Sequence, residues 1–238
     1  MNWGWETELT PVKMFRDRAE AGRVLAHSLD RFRGEDTLVL GIPRGGVVVA
    51  AEVAKYLSAE LNIVVARKLG APGQPELAIG AVTANGGQYL NENLIDEIGV
   101  SQAYLDHVIA EEMAEARRRD NMLRGRVPPA RIAGRPVIVV DDGLATGATA
   151  RAAVRSVRKG EPSTLVLAVP VGSPRACEDL RAEVDELVCL EAPEMFLAVG
   201  FFFTHFQPTE DAEVRRLIEE ASANRTARRV RGAGTSSS

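Results

Sequence analysis

The stretch VIVVDDGLATGAT, residues 137–149, decides the fold. Residues 137–140 form a continuous β-branched run, which is typical of a parallel strand buried on both faces. Asp141 and Asp142 follow at the carboxyl end of this strand, and small residues then lead into the alanine-rich start of a helix. The free N–H groups and the dipole of such a helix start suit a phosphate, while the carboxylates suit hydroxyl groups or a hydrated cation. The stretch therefore predicts a binding site in one continuous piece.

A second stretch repeats the pattern of strand, small-residue turn and helix. Thr37–Ile42 is an apolar strand that runs directly into Pro43, Arg44, Gly45 and Gly46. The apolar residues that follow this turn recur at helical spacing. The sequence thus contains two turns of the same kind, each at the carboxyl end of a predicted buried strand.

The rest of the chain continues the alternation of strands and helices. Apolar runs predict further strands at residues 61–66, 164–169 and 184–190. Such alternation gives a parallel α/β sheet with helices on both faces, here of about five strands in the order 2-1-3-4-5. Ligands bind such sheets at the carboxyl ends of the strands, where the winding reverses. If the strands before the two turns are neighbours and their helices leave to opposite faces, the turns face each other, with the acid pair between two anion sites.

Residues 71–91 are predicted to form a mobile flap. This segment is rich in Gly and Pro at its start, and residues 85–87, Asn-Gly-Gly, are a turn signal for a hairpin. The strand before it is predicted to end at Arg67 and Lys68, and residues 92–126 after it have a helical pattern. The flap therefore lies between the second core strand and a long helical segment.

Length and composition limit the possible classes of protein. The 238 residues are 45% hydrophobic with a net charge of -4, which fits one domain over residues 1–224 and argues against a nucleic-acid partner. Residues 225–238, basic and then Ser-rich, are predicted to be a disordered tail. Cys177 and Cys189 lack metal-site spacing and are predicted to be reduced. With no signal-peptide pattern and no apolar run near the roughly 20 residues of a membrane span, we expect a cytoplasmic protein without a membrane partner.

Both turns resemble those of a known family, the type I phosphoribosyltransferases. VIVVDDGLATGAT matches the family's signature of an apolar strand, two acids, small or apolar residues and a Thr-Gly phosphate turn. GIPRGG, residues 41–46, is similar to the pyrophosphate loop of the xanthine-type members. As a fold, the resemblance covers about residues 36–190. The longer pattern PRGGVVVAAEVA with RKLGAPGQPELAIGAV most resembles a bacterial branch that has no settled substrate.

This resemblance implies a magnesium-dependent pentosyl transferase, a glycosyltransferase of nucleotide or nucleoside metabolism. Its substrates would be phosphoribosyl pyrophosphate and a nitrogenous base or related acceptor, with release of pyrophosphate. Asp141 and Asp142 would hold the ribose 2- and 3-hydroxyls and, largely through water, magnesium. Arg44 and Lys68 would complete the catalytic set by stabilising the leaving pyrophosphate. The other implied substrate-binding residues are Gly45, Gly46, Arg67, Gly143, Ala145, Thr146, Gly147, Ala148, Thr149 and Phe196.

Acceptor choice in this family resides in a variable hood, for which residues 1–20 and 191–208 are the candidates here. Aromatic residues of the second segment could stack on a base, although aromatic residues in a run more often belong to a core. A homodimer is common among relatives, and the helix at 101–123 is a candidate contact. Arg67 and Lys68 have an alternative role as basic side chains that extend from a strand end into solvent.

A regulatory protein that senses phosphoribosyl pyrophosphate or a nucleotide without transferring it is the alternative function. Gly143 stands where the signature usually has a bulkier apolar residue, and the flap lacks the Ser-Tyr pair of several purine-specific members. A receiver domain does not fit, because the acid pair follows two strands and leads directly into a phosphate turn. A dinucleotide-binding domain does not fit either, because GxGxxG is absent from the first strand turn.

Overall fold

The structure is a computed structural model that describes residues 13–233, with side-chain environments up to residue 227. Its helices are α1 (Arg18–His27), α2 (Gly45–Leu57), α3 (Glu92–Glu97), α4 (Gln102–Arg124), α5 (Ala148–Arg158), α6 (Pro174–Arg181) and α7 (Asp211–Ala233). Its strands are β1 (Leu38–Gly41), β2 (Glu60–Ile63), β3 (Ala66–Ala71), β4 (Gln74–Thr83), β5 (Gln88–Leu90), β6 (Pro136–Val140), β7 (Thr164–Val171) and β8 (Glu186–Glu191). Within residues 13–233, no helix has the length and apolar character that a membrane span requires.

The core is a five-stranded parallel sheet in the order β2-β1-β6-β7-β8. Counting the core strands alone, this is the predicted 2-1-3-4-5 order, and it confirms the α/β fold class. Val137 and Val139 of β6 pack on the face that α5 covers, whereas Ile138 and Val140 pack on the face that α2 covers. Because β6 is buried on both faces, its sequence is continuously apolar rather than alternating.

The predicted flap is a folded antiparallel sheet in the order β3-β4-β5. The hairpin between β4 and β5 is confirmed, with Gly86 at its turn (φ +79°). The core strand predicted at 61–66 is wrong at its end. It stops at Ile63, and Arg67 and Lys68 lie on β3 instead of at the end of a core strand. The physical reason is that β3 pairs along its length with β4, so that Lys68 is opposite Ala81.

The predicted helical segment at 92–126 consists of two helices, because Gly99 adopts φ +68° between them. The side chain of Ser101 caps α4 by accepting a hydrogen bond from the Tyr104 N–H at 3.3 Å. The apolar face of α4, including Leu105 and Val108, packs against the flap sheet. The polar face of this helix is therefore what is left for the predicted dimer contact.

The prediction of a disordered tail from Arg225 is wrong for residues 225–233, because α7 continues to Ala233. Arg225 forms ion pairs with Glu60 at the start of β2 and, at 3.5 Å, with Asp36. These contacts hold the helix to the end of the sheet opposite the two turns. The rest of the predicted tail, residues 234–238, and the hood candidate residues 1–12 lie outside the described residues. Cys177 and Cys189 are both free thiols.

Candidate functional site

The acid pair lies directly after β6, as predicted. Asp141 is half-buried, and its Oδ1 accepts a hydrogen bond from the Asp142 N–H at 2.8 Å. Burial and then the charge of Asp142 raise the pKa of the Asp141 carboxyl well above its ordinary value. Without a ligand, a charged carboxylate is therefore costly at this position. A hydrated cation or hydroxyl donors would lower that cost.

The two turns meet at the acid pair. The Cα of Gly45 lies so close to Asp142 that a Cβ there would overlap the carboxylate oxygen Oδ2. A Cβ on Gly46 would lie 2.8 Å from both the Asp141 Cα and the Val140 carbonyl oxygen. Both glycines are thus required by close approach, and the predicted meeting of the two turns is confirmed. β1 and β6 are neighbours, and α2 and α5 cover opposite faces of the sheet.

The turn that follows the acid pair is held open above the sheet. Its Leu144 N–H donates to the Val171 carbonyl at 2.9 Å, and the Ser173 hydroxyl donates to the Ala145 carbonyl at 2.7 Å. Gly147 adopts φ +73° as the N-cap of α5, so Thr149 lies in the first turn of that helix. The first N–H groups of a helix have no partner within it and favour an anion. This turn therefore fits a phosphate, with Ala145 and Thr146 exposed beside it.

Gly143 has a packing reason in this chain. A Cβ there would lie 2.6 Å from Val199 Cγ1, so Val199 fills the space that a bulkier residue would take. Val199 begins a short 3₁₀ helix, residues 199–202, which lies in an aromatic cluster. In this cluster Phe196 stacks on Phe202 with ring centroids 5.3 Å apart. The structure therefore places Phe196 in a packed cluster beside the site and shows no contact between it and the acid pair.

The two described hood candidates pack together. Residues 13–20 and 199–206 are joined by a bridge between Phe15 and Phe203, and the Phe15 N–H donates to the Phe202 carbonyl at 2.9 Å. Through Val199, this unit rests on the turn that contains the acid pair. The hood as an acceptor site stays a prediction.

The basic residues differ in their partners. Arg44 is exposed at the start of α2, after a cis Pro43–Arg44 peptide bond, and its Nη1 lies 4.0 Å from Asp211. Arg67 donates from Nε to Glu112 at 2.6 Å, so its charge is matched within the fold. The Lys68 side chain is 50% exposed, and its Nζ lies 3.8 Å from an exposed glutamate. Lys68 is therefore more available to an anion than Arg67 is.

A cleft of about 550 Å³ connects these basic residues with the two turns. It lies between β3 and α4, and its lining includes Pro43, Arg67, Lys68, Arg119 and Thr149. Pro43 belongs to one turn and Thr149 to the other. The cleft thus brings Lys68 to the same space as both turns.

Arg18 is the site residue that the sequence reasoning missed. Its Nε donates to Asp142 Oδ2 at 2.7 Å, and its guanidinium lies 3.8 Å from the centroid of the Phe206 ring. The only local signal is a basic residue at the start of a helix, where a cation is unfavourable for the helix dipole. No motif relates it to an acid so distant in the chain.

The acid pair suits magnesium held mainly by water and substrate. Among the described residues, no group of three or more His, Cys, Asp or Glu side chains could enclose a metal ion. Magnesium commonly keeps several waters and uses only one or two carboxylates, together with substrate phosphates. Asp141 and Asp142 beside two anion-binding turns fit that requirement.

A family profile described as a phosphoribosyl transferase domain matches residues 16–202. The chain belongs to the phosphoribosyltransferase family. Over 213 residues it is 42% identical to two provisionally named phosphoribosyl transferases from the CDC 1551 and H37Rv strains of Mycobacterium tuberculosis. The match covers 88% of this chain and 47% of each relative, so the chain spans about half their length.

The crystal structure of TT1426 from Thermus thermophilus shows the same phosphoribosyltransferase fold. It is 43% identical to this chain, with a TM-score of 0.75, and the alignment covers 87% of this chain and 98% of TT1426. Because the family profile extends from residue 16 to residue 202, it includes Arg18, both turns and the described hood segments.

Proposed function

We propose that this protein transfers the ribose 5-phosphate group of phosphoribosyl pyrophosphate to a nitrogenous base or related acceptor, with release of pyrophosphate. The observation that carries the proposal is the contact of Gly45 and Gly46 with the acid pair. Two anion-binding turns that meet at two carboxylates match a sugar that bears a phosphate at one end and a pyrophosphate at the other. Family membership independently supports the same substrate.

Each turn has its own role in this proposal. The start of α5, with Thr146 and Thr149, would bind the 5-phosphate through backbone N–H groups and hydroxyls. Gly45 and Gly46 would let the pyrophosphate approach the backbone at the start of α2. Arg44 would face that pyrophosphate. With both ends held, the anomeric carbon would lie between the turns, near the carboxylates.

The proposed chemistry is displacement at the anomeric carbon through a transition state in which positive charge develops on the ribose ring. Arg44 and Lys68 would stabilise the leaving pyrophosphate, and Asp141 and Asp142 would stabilise the developing positive charge. When bound, magnesium supplies positive charge that bridges pyrophosphate and ribose oxygens. The flap sheet would exclude water from this charge by closing over the site. An N–H acid in a heterocyclic acceptor is easily deprotonated, so a protein base is not required.

The experiment is a measurement of pyrophosphate release with magnesium and phosphoribosyl pyrophosphate across a panel of purine, pyrimidine and pyridine bases. We expect base-dependent release by the wild type and none by the Asp141→Asn, Asp142→Asn double variant. Silence on every base, with tight binding of the sugar phosphate retained, would favour a regulator. Silence without such binding would refute both functions.

The remaining features are proposals of the same kind. The two free cysteines fit the expected cytoplasmic location. A role in nucleotide or nucleoside metabolism follows from the proposed substrate. A homodimer that uses the polar face of α4 would appear as a doubled mass in light scattering.

A further inference from the structure

Arg18 links the hood to the acid pair. Besides its bond to Asp142, it donates from Nη1 to the Gln207 carbonyl at 2.7 Å, and its guanidinium lies over the Phe206 ring. The side chains of Arg18 and Asp142 are only 11% and 17% exposed. At that exposure an ion pair is weakly screened by solvent, and its geometry is well defined.

The position of Arg18 has no explanation in the stability of its own helix. It is the first residue of α1, where the positive end of the helix dipole disfavours a cation. Asp17 already caps this helix by accepting a hydrogen bond from the Glu20 N–H at 2.8 Å. A guanidinium placed against the dipole, stacked on an aromatic ring and directed at an acid is placed for that acid.

Asp142 depends on Arg18 for its orientation. Among residues 13–227, the hydrogen bond from Arg18 is the one that the Asp142 carboxylate accepts, and it uses Oδ2. The neighbouring Gly45 has no side chain to restrain this carboxylate. Oδ1 of Asp142 is left for another donor. A fixed acceptor at that point is what recognition of a sugar hydroxyl requires.

We propose that Arg18 is a positioning residue that holds the Asp142 carboxylate in the orientation that binds the ribose hydroxyls. This inference rests on the proposed function, because it concerns the same sugar. It adds a residue from the hood to the site, and it connects the hood to the ribose through Phe206 and Gln207. The predicted consequence is confined to the hydroxyls: Arg18 affects how the ribose is distinguished and leaves the phosphate turn unaffected.

The test uses ribose 5-phosphate and 2-deoxyribose 5-phosphate, which differ by one hydroxyl group, as probes in calorimetric or NMR titrations with magnesium. The wild type should bind ribose 5-phosphate more tightly. In Arg18→Met the ratio of the two affinities should fall by about tenfold, since a hydrogen bond to a charged group is lost or misdirected. In Arg18→Lys, which keeps the charge without the planar fork, the fall should be smaller, about threefold. Affinity for 2-deoxyribose 5-phosphate should stay within about twofold.

Arg16→Gln is the matched control, because Arg16 is also in the hood but is exposed and paired with Asp17. Its ratio should equal that of the wild type. Both sugars are measured on one preparation, so partial unfolding cancels in the ratio. If Arg18→Met does not fold, Arg18→Lys carries the test.

An unchanged ratio in the Arg18 variants, or no discrimination by the wild type, would overturn the positioning role while leaving the transfer function in place. If the wild type binds neither these sugars nor phosphoribosyl pyrophosphate, the proposed function itself fails. A loss of affinity for both sugars alike would show that Arg18 only maintains the fold, and would also overturn the inference.

Discussion

Gly46→Ala tests whether the two turns must remain in contact for the substrate to bind. The added Cβ would lie 2.8 Å from the Asp141 Cα and from the Val140 carbonyl oxygen. Both atoms belong to the backbone of a central strand and its turn, so neither can move away by rotation of a side chain. Since carbon atoms pack best at about 3.5–4.0 Å, the start of α2 must move away from the acid pair by roughly 1 Å.

The magnitude has two opposing parts. Overpacking of this kind costs about 1–3 kcal/mol of unfolding free energy, whereas replacing Gly by Ala within a helix gains about 0.5–1 kcal/mol. We expect a net loss of about 1 kcal/mol, or roughly 2–4 °C in Tm for a chain of this size. The effect on binding is larger, because a displacement of roughly 1 Å separates two sites that must hold one rigid molecule.

Isothermal titration should show that Gly46→Ala binds phosphoribosyl pyrophosphate at least about tenfold more weakly, with ribose 5-phosphate affected by less than about twofold. Gly160→Ala is the control, since its Cβ would meet only the Ile132 side chain, at 2.8 Å and away from both turns. Equal binding of phosphoribosyl pyrophosphate by Gly46→Ala and the wild type would refute the claim that both turns hold one substrate.

Three further predictions concern the same site. Asp141→Asn should stabilise the ligand-free protein by about 1 kcal/mol near neutral pH in urea unfolding. Because the Asp141 pKa is raised in the folded state, the cost of its carboxylate grows as pH rises through that pKa, and the gain should vanish in acid below the ordinary value of 3.8; a gain that is independent of pH would contradict the cause. Lys68→Gln should weaken pyrophosphate binding about fivefold at low ionic strength and less at high salt, while Arg67→Gln should do less because a glutamate already matches its charge; titrations at two salt concentrations check this ordering, which a larger effect of Arg67→Gln would reverse. Gly143→Ala should be destabilising, and adding Val199→Ala should restore about 1 kcal/mol or more, as measured by a double-mutant cycle; simple additivity would show that the two residues do not share one space.

The meeting of the two turns could be predicted because each turn is a local pattern and the parallel sheet fixes where such patterns end. Strand 137–140 is recognisable from its own residues, and the rule for ligand position supplies the rest. The family resemblance added the identity of the groups that the turns would bind. None of this required knowledge of a contact between distant side chains.

The contacts of Arg18 could not be predicted in this way. Its partner Asp142 is 124 residues away, and only the packing of the hood on the sheet brings them together. The same limit explains the error at β3: the polar start of that strand has no apolar pattern, and its pairing with β4 decides its structure. It also explains the tail, because a basic run shows its charge and not the acids, Asp36 and Glu60, that stabilise it.

The most direct measurement is the titration of the wild type and of the Asp141→Asn, Asp142→Asn double variant with phosphoribosyl pyrophosphate in the presence of magnesium. The wild type should bind one molecule per chain, more tightly than it binds ribose 5-phosphate or pyrophosphate alone, and the double variant should lose at least about tenfold in affinity. Absence of binding by the wild type, or equal binding by the double variant, would contradict a site in which two turns and an acid pair hold one sugar.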